Sequence, residues 1–222
     1  MVRIARLVGE GLPHHVTQRG NNKQKIFFDD YDRQRYLSLV QEYSKKYDLT
    51  ILSYCLMPNH VHFIIVPHQQ EALAKFFASV HTRYSQYFNK KRTGSGHLFQ
   101  GRFFSCILDH IHLLAAARYI ERNPVRERLV EKPWDWEWSS ARYHIGKGKP
   151  AVPLGDLFEL IDMNRNNWKS FTDSFDDENV IDAIRNNTMN GRPLGVDAFL
   201  EKLENVFGVN LRNITKGRPF KE

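Results

Sequence analysis

The sequence predicts an α+β fold: one antiparallel sheet covered by helices, followed by a small, mainly helical extension. Three observations point there. Short segments of strand length, apolar or alternating, are interleaved with longer segments whose apolar residues recur at helical spacing. The two most apolar short segments, 49–57 and 60–67, are separated only by Pro58-Asn59, a tight turn that makes them antiparallel. The chain of 222 residues is 41% hydrophobic, which is enough for a packed core and excludes global disorder.

Each element follows in order. Residues 13–20 (PHHVTQRG) alternate and run into a Gly-Asn-Asn turn, which reads as a first strand. In 31–47, Tyr36, Leu39, Val40, Tyr43 and Tyr47 make an amphipathic helix that Asp29 or Asp30 can cap. Residues 49–57 (LTILSYCLM) are apolar on both faces, as in a central strand, and 60–67 (HVHFIIVP) form its hairpin partner. Helical period returns over 70–90 through Leu73, Phe76, Phe77, Val80, Tyr84, Tyr87 and Phe88. Residues 89–102 (NKKRTGSGHLFQGR) read as a basic, Gly-punctuated loop and 103–108 as a strand. Asp109 can cap a last helix, expected to stop before Pro124. The order β-α-β-β-α-β-α with a central hairpin is ferredoxin-like. Trp134, Trp136 and Trp138, then GKGKP, mark an edge between residues 1–150 and an accessory segment, 151–222. In that segment GRPLG (191–195) precedes a short helix over 197–207.

Charge is divided unevenly between these parts. Residues 151–222 hold 9 Lys and Arg against 12 Asp and Glu, a net of −3; with 32 and 25 in the whole chain, residues 1–150 keep 23 against 13, a net of +10. All ten histidines also fall between His14 and His144. A basic, His-rich module calls for a polyanionic partner. No apolar run approaches a membrane span, and the N-terminus lacks the apolar core of a signal peptide, so the expected setting is a reducing cytoplasm. Cys55 and Cys106 sit in apolar stretches and read as buried, inert thiols.

His60 and His62 are two apart on a strand, so both imidazoles share a face while Val61, Phe63 and Ile65 take the other. A strand presents two nitrogen ligands to one metal ion in this way, although many His-x-His pairs are ordinary sheet residues. Tyr119 and Asn123 lie one turn apart on the last helix, with His112 on the same stripe. Alone, Tyr119 reads as a half-buried tyrosine and Asn123 as a helix end. Only the combination is distinctive: a His-x-His strand, a basic loop, then a helix with Tyr and Asn one turn apart.

MPNHVHFII, with YIERNPVRERLV and WSSARYH downstream, resembles the HUH single-tyrosine transposases, and most closely the REP-associated tyrosine transposases among them. LPHHVTQRGNN and GHLFQGRF fit the same pattern, so the resemblance runs from about residue 3 to 145. GRPLG and the terminal KGRPFK look, more loosely, like a C-terminal extension that some of these proteins carry. The resemblance implies an HUH nuclease fold, with His60 and His62 as metal ligands, Asn123 as the third ligand and Tyr119 as the nucleophile. It implies cleavage and rejoining of single-stranded DNA next to an imperfect REP-type hairpin, through a 5′-phosphotyrosine, with a short guide sequence choosing the site. It further implies a bacterial, nucleoid-associated enzyme acting as a monomer or homodimer.

The chemistry is coherent. A free phenol titrates near pH 10, so a tyrosine nucleophile needs help from its site. Two imidazoles and an amide oxygen leave room for water and a phosphate oxygen, which together with the resemblance favours Mg²⁺ or Mn²⁺. A covalent phosphotyrosine keeps the phosphodiester energy, so no nucleotide cofactor is expected. Phosphates are expected to meet Lys90, Lys91, Arg92 and Arg102 in the basic loop, and Arg19, Lys23 and Lys25 at the end of the first strand. Phe99, Phe103 and Phe104 could stack on bases, with core packing expected for at least two. Arg218 of the terminal GRP segment could enter a minor groove, and His112 is a further candidate beside Tyr119. The remaining histidines read as structural. Two other functions stay open: a non-catalytic binder of structured single strands, and a metal-dependent phosphodiesterase that uses water.

Overall fold

The structure, a computed structural model, describes residues 7–211. Four strands, β1 (His14–Arg19), β2 (Leu49–Met57), β3 (His60–Pro67) and β4 (Phe104–Ile107), form one sheet in the order β2-β3-β1-β4. Every pairing is antiparallel. Helices α1 (Asp30–Lys46) and α2 (Ala72–Lys91) lie on one face. There Val16, Tyr54, Leu56, Val61, Phe63 and Ile65 share a buried cluster with Tyr36, Val40, Phe76 and Val80. The fold is therefore the α+β, ferredoxin-like arrangement expected from the element order.

The other face carries α3 (His110–Arg126), α5 (Arg165–Asp173) and α6 (Glu178–Asn190); α4 (Ala141–His144) and α7 (Asp197–Phe207) are shorter or peripheral. Leu52, Cys55, Ile64 and Cys106 of the sheet are packed with Leu113, Ala116 and Ile120 of α3. Leu157, Ile161, Trp168, Ile181 and Ile184 belong to the same cluster. Residues beyond 150, expected as an accessory segment, thus complete a core that the first 150 residues begin. Both cysteines are buried and unbridged.

Both sheet edges are covered. At β2, Leu56 N–H donates to the Trp138 carbonyl and Ser140 N–H to Tyr54. At β4, Leu194 N–H donates to Ile107 and Asp109 N–H to Leu194, so the GRPLG segment adds a short parallel bridge. Such covering removes the free backbone row that invites unwanted pairing.

Asp29 caps α1 through a bond from Asp32 N–H, as expected, and Asp109 caps α3 through a bond from His112 N–H. Two boundaries differ from the sequence reading. Helix α2 runs to Lys91, one residue past the expected 70–90, so Lys90 and Lys91 lie in its last turn and the loop expected from 89 begins only at Arg92. Helix α3 does not stop before Pro124 but continues to Arg126. A proline so near the end removes a single hydrogen bond, and the turn closes through Glu127 N–H to the Asn123 carbonyl.

Candidate active site

Antiparallel register places Arg19 opposite His60 and Thr17 opposite His62. Because directly opposed residues share a face, these four, with His15, point away from the α1–α2 layer. Helix α3 crosses that face and brings Tyr119 and Asn123 to the same place. His60, His62, Tyr119 and Asn123 all line one cavity of about 400 Å³. All four are largely buried, each at 4–6% of full exposure. The Tyr119 ring meets His62 edge-on at 5.6 Å and His15 at 5.7 Å between centroids, and the Arg126 guanidinium lies 4.3 Å over the ring centroid.

Hydrogen bonds fix the state of both imidazoles. Asn59 Nδ2 donates to the Lys23 carbonyl, so its Oδ1 faces His60 Nδ1 at 2.7 Å and accepts from it. His60 Nδ1 therefore carries the proton, which leaves a lone pair on Nε2. On the other side the Thr188 hydroxyl donates to the Ile184 carbonyl and so accepts from His15 Nδ1 at 2.7 Å. His15 Nε2 must then accept from His62 Nδ1, 2.9 Å away. His62 thus also offers Nε2 as a lone pair. Burial, with Arg19 and Arg126 nearby, lowers His60 to about 3, and burial lowers His62 well below its ordinary value, so both stay neutral at physiological pH. Neutral rings with a fixed proton on the far nitrogen are the form a metal ion binds.

Asn123 completes the set. Its Oδ1 accepts from Arg126 at 3.0 Å, which sets the amide orientation and leaves the second oxygen lone pair available. Its Nδ2 is buried without a partner in the cavity wall. Among the described residues no group of three or more His, Cys, Asp or Glu could hold a metal. The donors that line the cavity are two imidazoles and one amide, a set that a divalent ion would accept.

The expected DNA contacts divide. Arg19 lines the cavity, and Arg19, Lys23 and Lys25 line an adjoining hollow of about 500 Å³ that also includes His60. Gly20 makes this turn possible: a Cβ there would meet the Gln24 carbonyl oxygen at 2.3 Å. Lys90, Lys91, Arg92 and Arg102 line neither space. Lys91 is held by Asp29 and Asp32, and Arg92 lies over the Phe28 ring. Phe99 and Phe103 are buried in the core, whereas Phe104 lines the cavity. His112 turns its Nδ1 to the capping Asp109, 2.7 Å away, rather than joining Tyr119. Arg218 lies outside the described residues.

Sequence reasoning missed His15, Thr188 and Arg185. His15 was visible as a histidine on the first strand, but its role needs the pairing of β1 with β3. Thr188 and Arg185 lie on α6, in the segment expected to stand outside the reaction.

The model of the IS200-like transposases matches residues 10–123, just over half of the 222, and the chain belongs to that family. Its members are transposases, enzymes that cleave and transfer DNA strands. A Haemophilus influenzae protein named for the REP-associated tyrosine transposases is 27% identical over 131 residues, covering 54% of this chain and 73% of that one. A solved structure of a REP-associated tyrosine transposase bound to a REP hairpin superposes with a TM-score of 0.55 at 19% identity, over 71% of this chain and 93% of the other; the likeness is one of fold. Among the described residues no helix is long and apolar enough to cross a membrane.

Proposed function

We propose that this chain cleaves and rejoins single-stranded DNA beside REP-type hairpins through a 5′-phosphotyrosine on Tyr119. The observation that carries the reading is the convergence of Tyr119 and Asn123 of α3 with His60 and His62 of β3 on one cavity. In the cleavage step the Tyr119 oxygen attacks the scissile phosphorus in line with the leaving 3′-oxygen. The O–P bond to tyrosine forms as the P–O3′ bond breaks. The phenolic proton is lost to solvent and the 3′-oxygen takes one up, so charge and atoms balance and nothing is oxidised. The freed 3′-hydroxyl can reverse the step, which gives rejoining without a nucleotide.

The residues divide the work. Packing against His62, His15 and Arg126 holds the phenol ring in one orientation, which supplies proximity. His60, His62 and Asn123 would hold Mg²⁺ or Mn²⁺, which when bound polarises the phosphate and neutralises charge developing in the transition state. Arg19, Lys23 and Lys25 line the adjoining hollow and suit the phosphates of an unpaired strand running past the site. The relative named for REP elements and the related structure bound to a REP hairpin support a REP-type hairpin as substrate.

A labelled hairpin oligonucleotide with a single-stranded flank, incubated with Mn²⁺ and run on a denaturing gel, tests this. The wild type is expected to give a protein–DNA adduct. Tyr119→Phe should give none while binding the hairpin with unchanged affinity. Cleavage without an adduct would instead support hydrolysis by water, and binding alone a regulator.

A further inference from the structure

We propose that α6 completes the active site and that its Arg185 is a catalytic residue, gripping the phosphate as it passes to Tyr119. The inference rests on the phosphotyrosine reading above and adds a residue that the family match, which ends at 123, does not reach.

The position of Arg185 is built. Ile181, Ile184 and Thr188 of α6 are buried, the isoleucines in the same cluster as the sheet and α3. Asp177 caps the start of the helix and Gly191, at φ 72°, its end; beyond it Leu194 pairs with Ile107 of β4. A helix held at both ends and along its inner stripe presents its flank at a fixed place. Arg185, Thr188 and Met189 lie on that flank and line the cavity that holds Tyr119.

The Arg185 guanidinium carbon is 5.9 Å from the centroid of the Tyr119 ring. Its side chain keeps 48% of its exposure, so substrate can reach it; its ion pair is a long 3.6 Å contact to the more exposed Asp182. Arg126, by contrast, is committed to the Tyr119 carbonyl, Asn123 and Asp176. The guanidiniums that line the cavity are Arg19 from β1 and Arg185 from α6. Of these two, Arg185 is the one that faces the Tyr119 ring. A planar guanidinium there can donate two parallel bonds to the non-bridging oxygens of a phosphate bonded to Tyr119. It meets the charge that grows as the O–P bond forms, beside the buried His60, His62 and Tyr119.

The test is single-turnover adduct formation by the full chain on a hairpin oligonucleotide with Mn²⁺, set beside hairpin affinity measured in chelator. Arg185→Ala is expected to slow adduct formation by about 10²–10³-fold, the usual effect of removing one preorganised donor, while affinity changes by less than about threefold. Arg185→Lys, which keeps charge but not the fork, should recover part of the rate and serves as the folding control. An unchanged rate in Arg185→Ala overturns the proposal. So does a fall in rate matched by an equal fall in affinity, which would make Arg185 a general phosphate contact. Absence of an adduct with the wild type overturns the phosphotyrosine reading itself, and this inference with it.

Discussion

Two short relays decide what His60 and His62 can do: Lys23 carbonyl–Asn59–His60 and Ile184 carbonyl–Thr188–His15–His62. Each ends by placing a proton on Nδ1 and leaving Nε2 free. The His-x-His pair was legible because strand alternation alone puts both rings on one face. The His15 relay was not, since it joins positions 47 and 173 residues apart that only the sheet pairing and α6 bring together. His15→Ala should therefore weaken Mn²⁺ binding about 10–100-fold in calorimetry, the usual effect of losing an orienting partner. An affinity within twofold of the wild type would show that His62 needs no such partner. Tyr119 and Asn123 were legible by helical spacing. That Arg126 shares the Asn123 oxygen was not, because nothing in sequence spacing predicts which guanidinium turns inward.

Helix α3 carries Tyr119, and its other faces are anchored twice. Arg118, Arg122 and Arg126, spaced by one turn, all reach Asp176 at 3.2, 2.8 and 3.4 Å, with Asp176 and the three arginines at only 10–13% side-chain exposure. Two residues from Tyr119, the fully buried Glu121 carboxylate accepts from Ser140, His144 and Trp168. Removing one partner of a buried charge cluster strands the others. Asp176→Ala should cost about 3 kcal/mol, read as a fall of roughly 6–12 °C in Tm, and should slow adduct formation through Arg126. A Tm within 2 °C of the wild type would mean the cluster is only a surface arrangement. Strand and helix order was legible from period and turns. The bulge in β2 between Ile51 and Ser53 was not: it switches the facing parity within one apolar run, so Ile51 and Tyr54 point to the same layer. The end of α2 was ambiguous because 89 and 90 fitted both the helix and the basic loop; Lys91 is fastened to Asp29 and Asp32.

The whole chain buries ionisable groups on the site face and closes that face with its C-terminal third. Charge separation into +10 and −3 suggested a polyanion-binding module and a separate accessory segment. Packing replaces that picture, because core formation ignores net charge and follows Trp168, Ile181 and Ile184 across residue 150. Burial also sets a pH dependence. It holds His14 at about 4 and His15 and His60 at about 3, and lowers His62 as well. Above pH 6.5 these rings are neutral in both folded and unfolded chains and favour neither. Below it the unfolded chain takes up protons that the folded chain refuses, so stability present at neutral pH is lost progressively from about pH 6.5 towards 3. Metal-free protein should therefore melt at steadily lower temperature from pH 7 to pH 5; a flat profile would contradict the buried, neutral histidines. The most direct measurement is mass spectrometry of the peptide that retains nucleotide after reaction with a hairpin oligonucleotide and Mn²⁺. The expected result is a 5′-phosphate ester on Tyr119. A nucleotide on any other residue, or cleaved DNA with a free 5′-phosphate and no modified peptide, would contradict it.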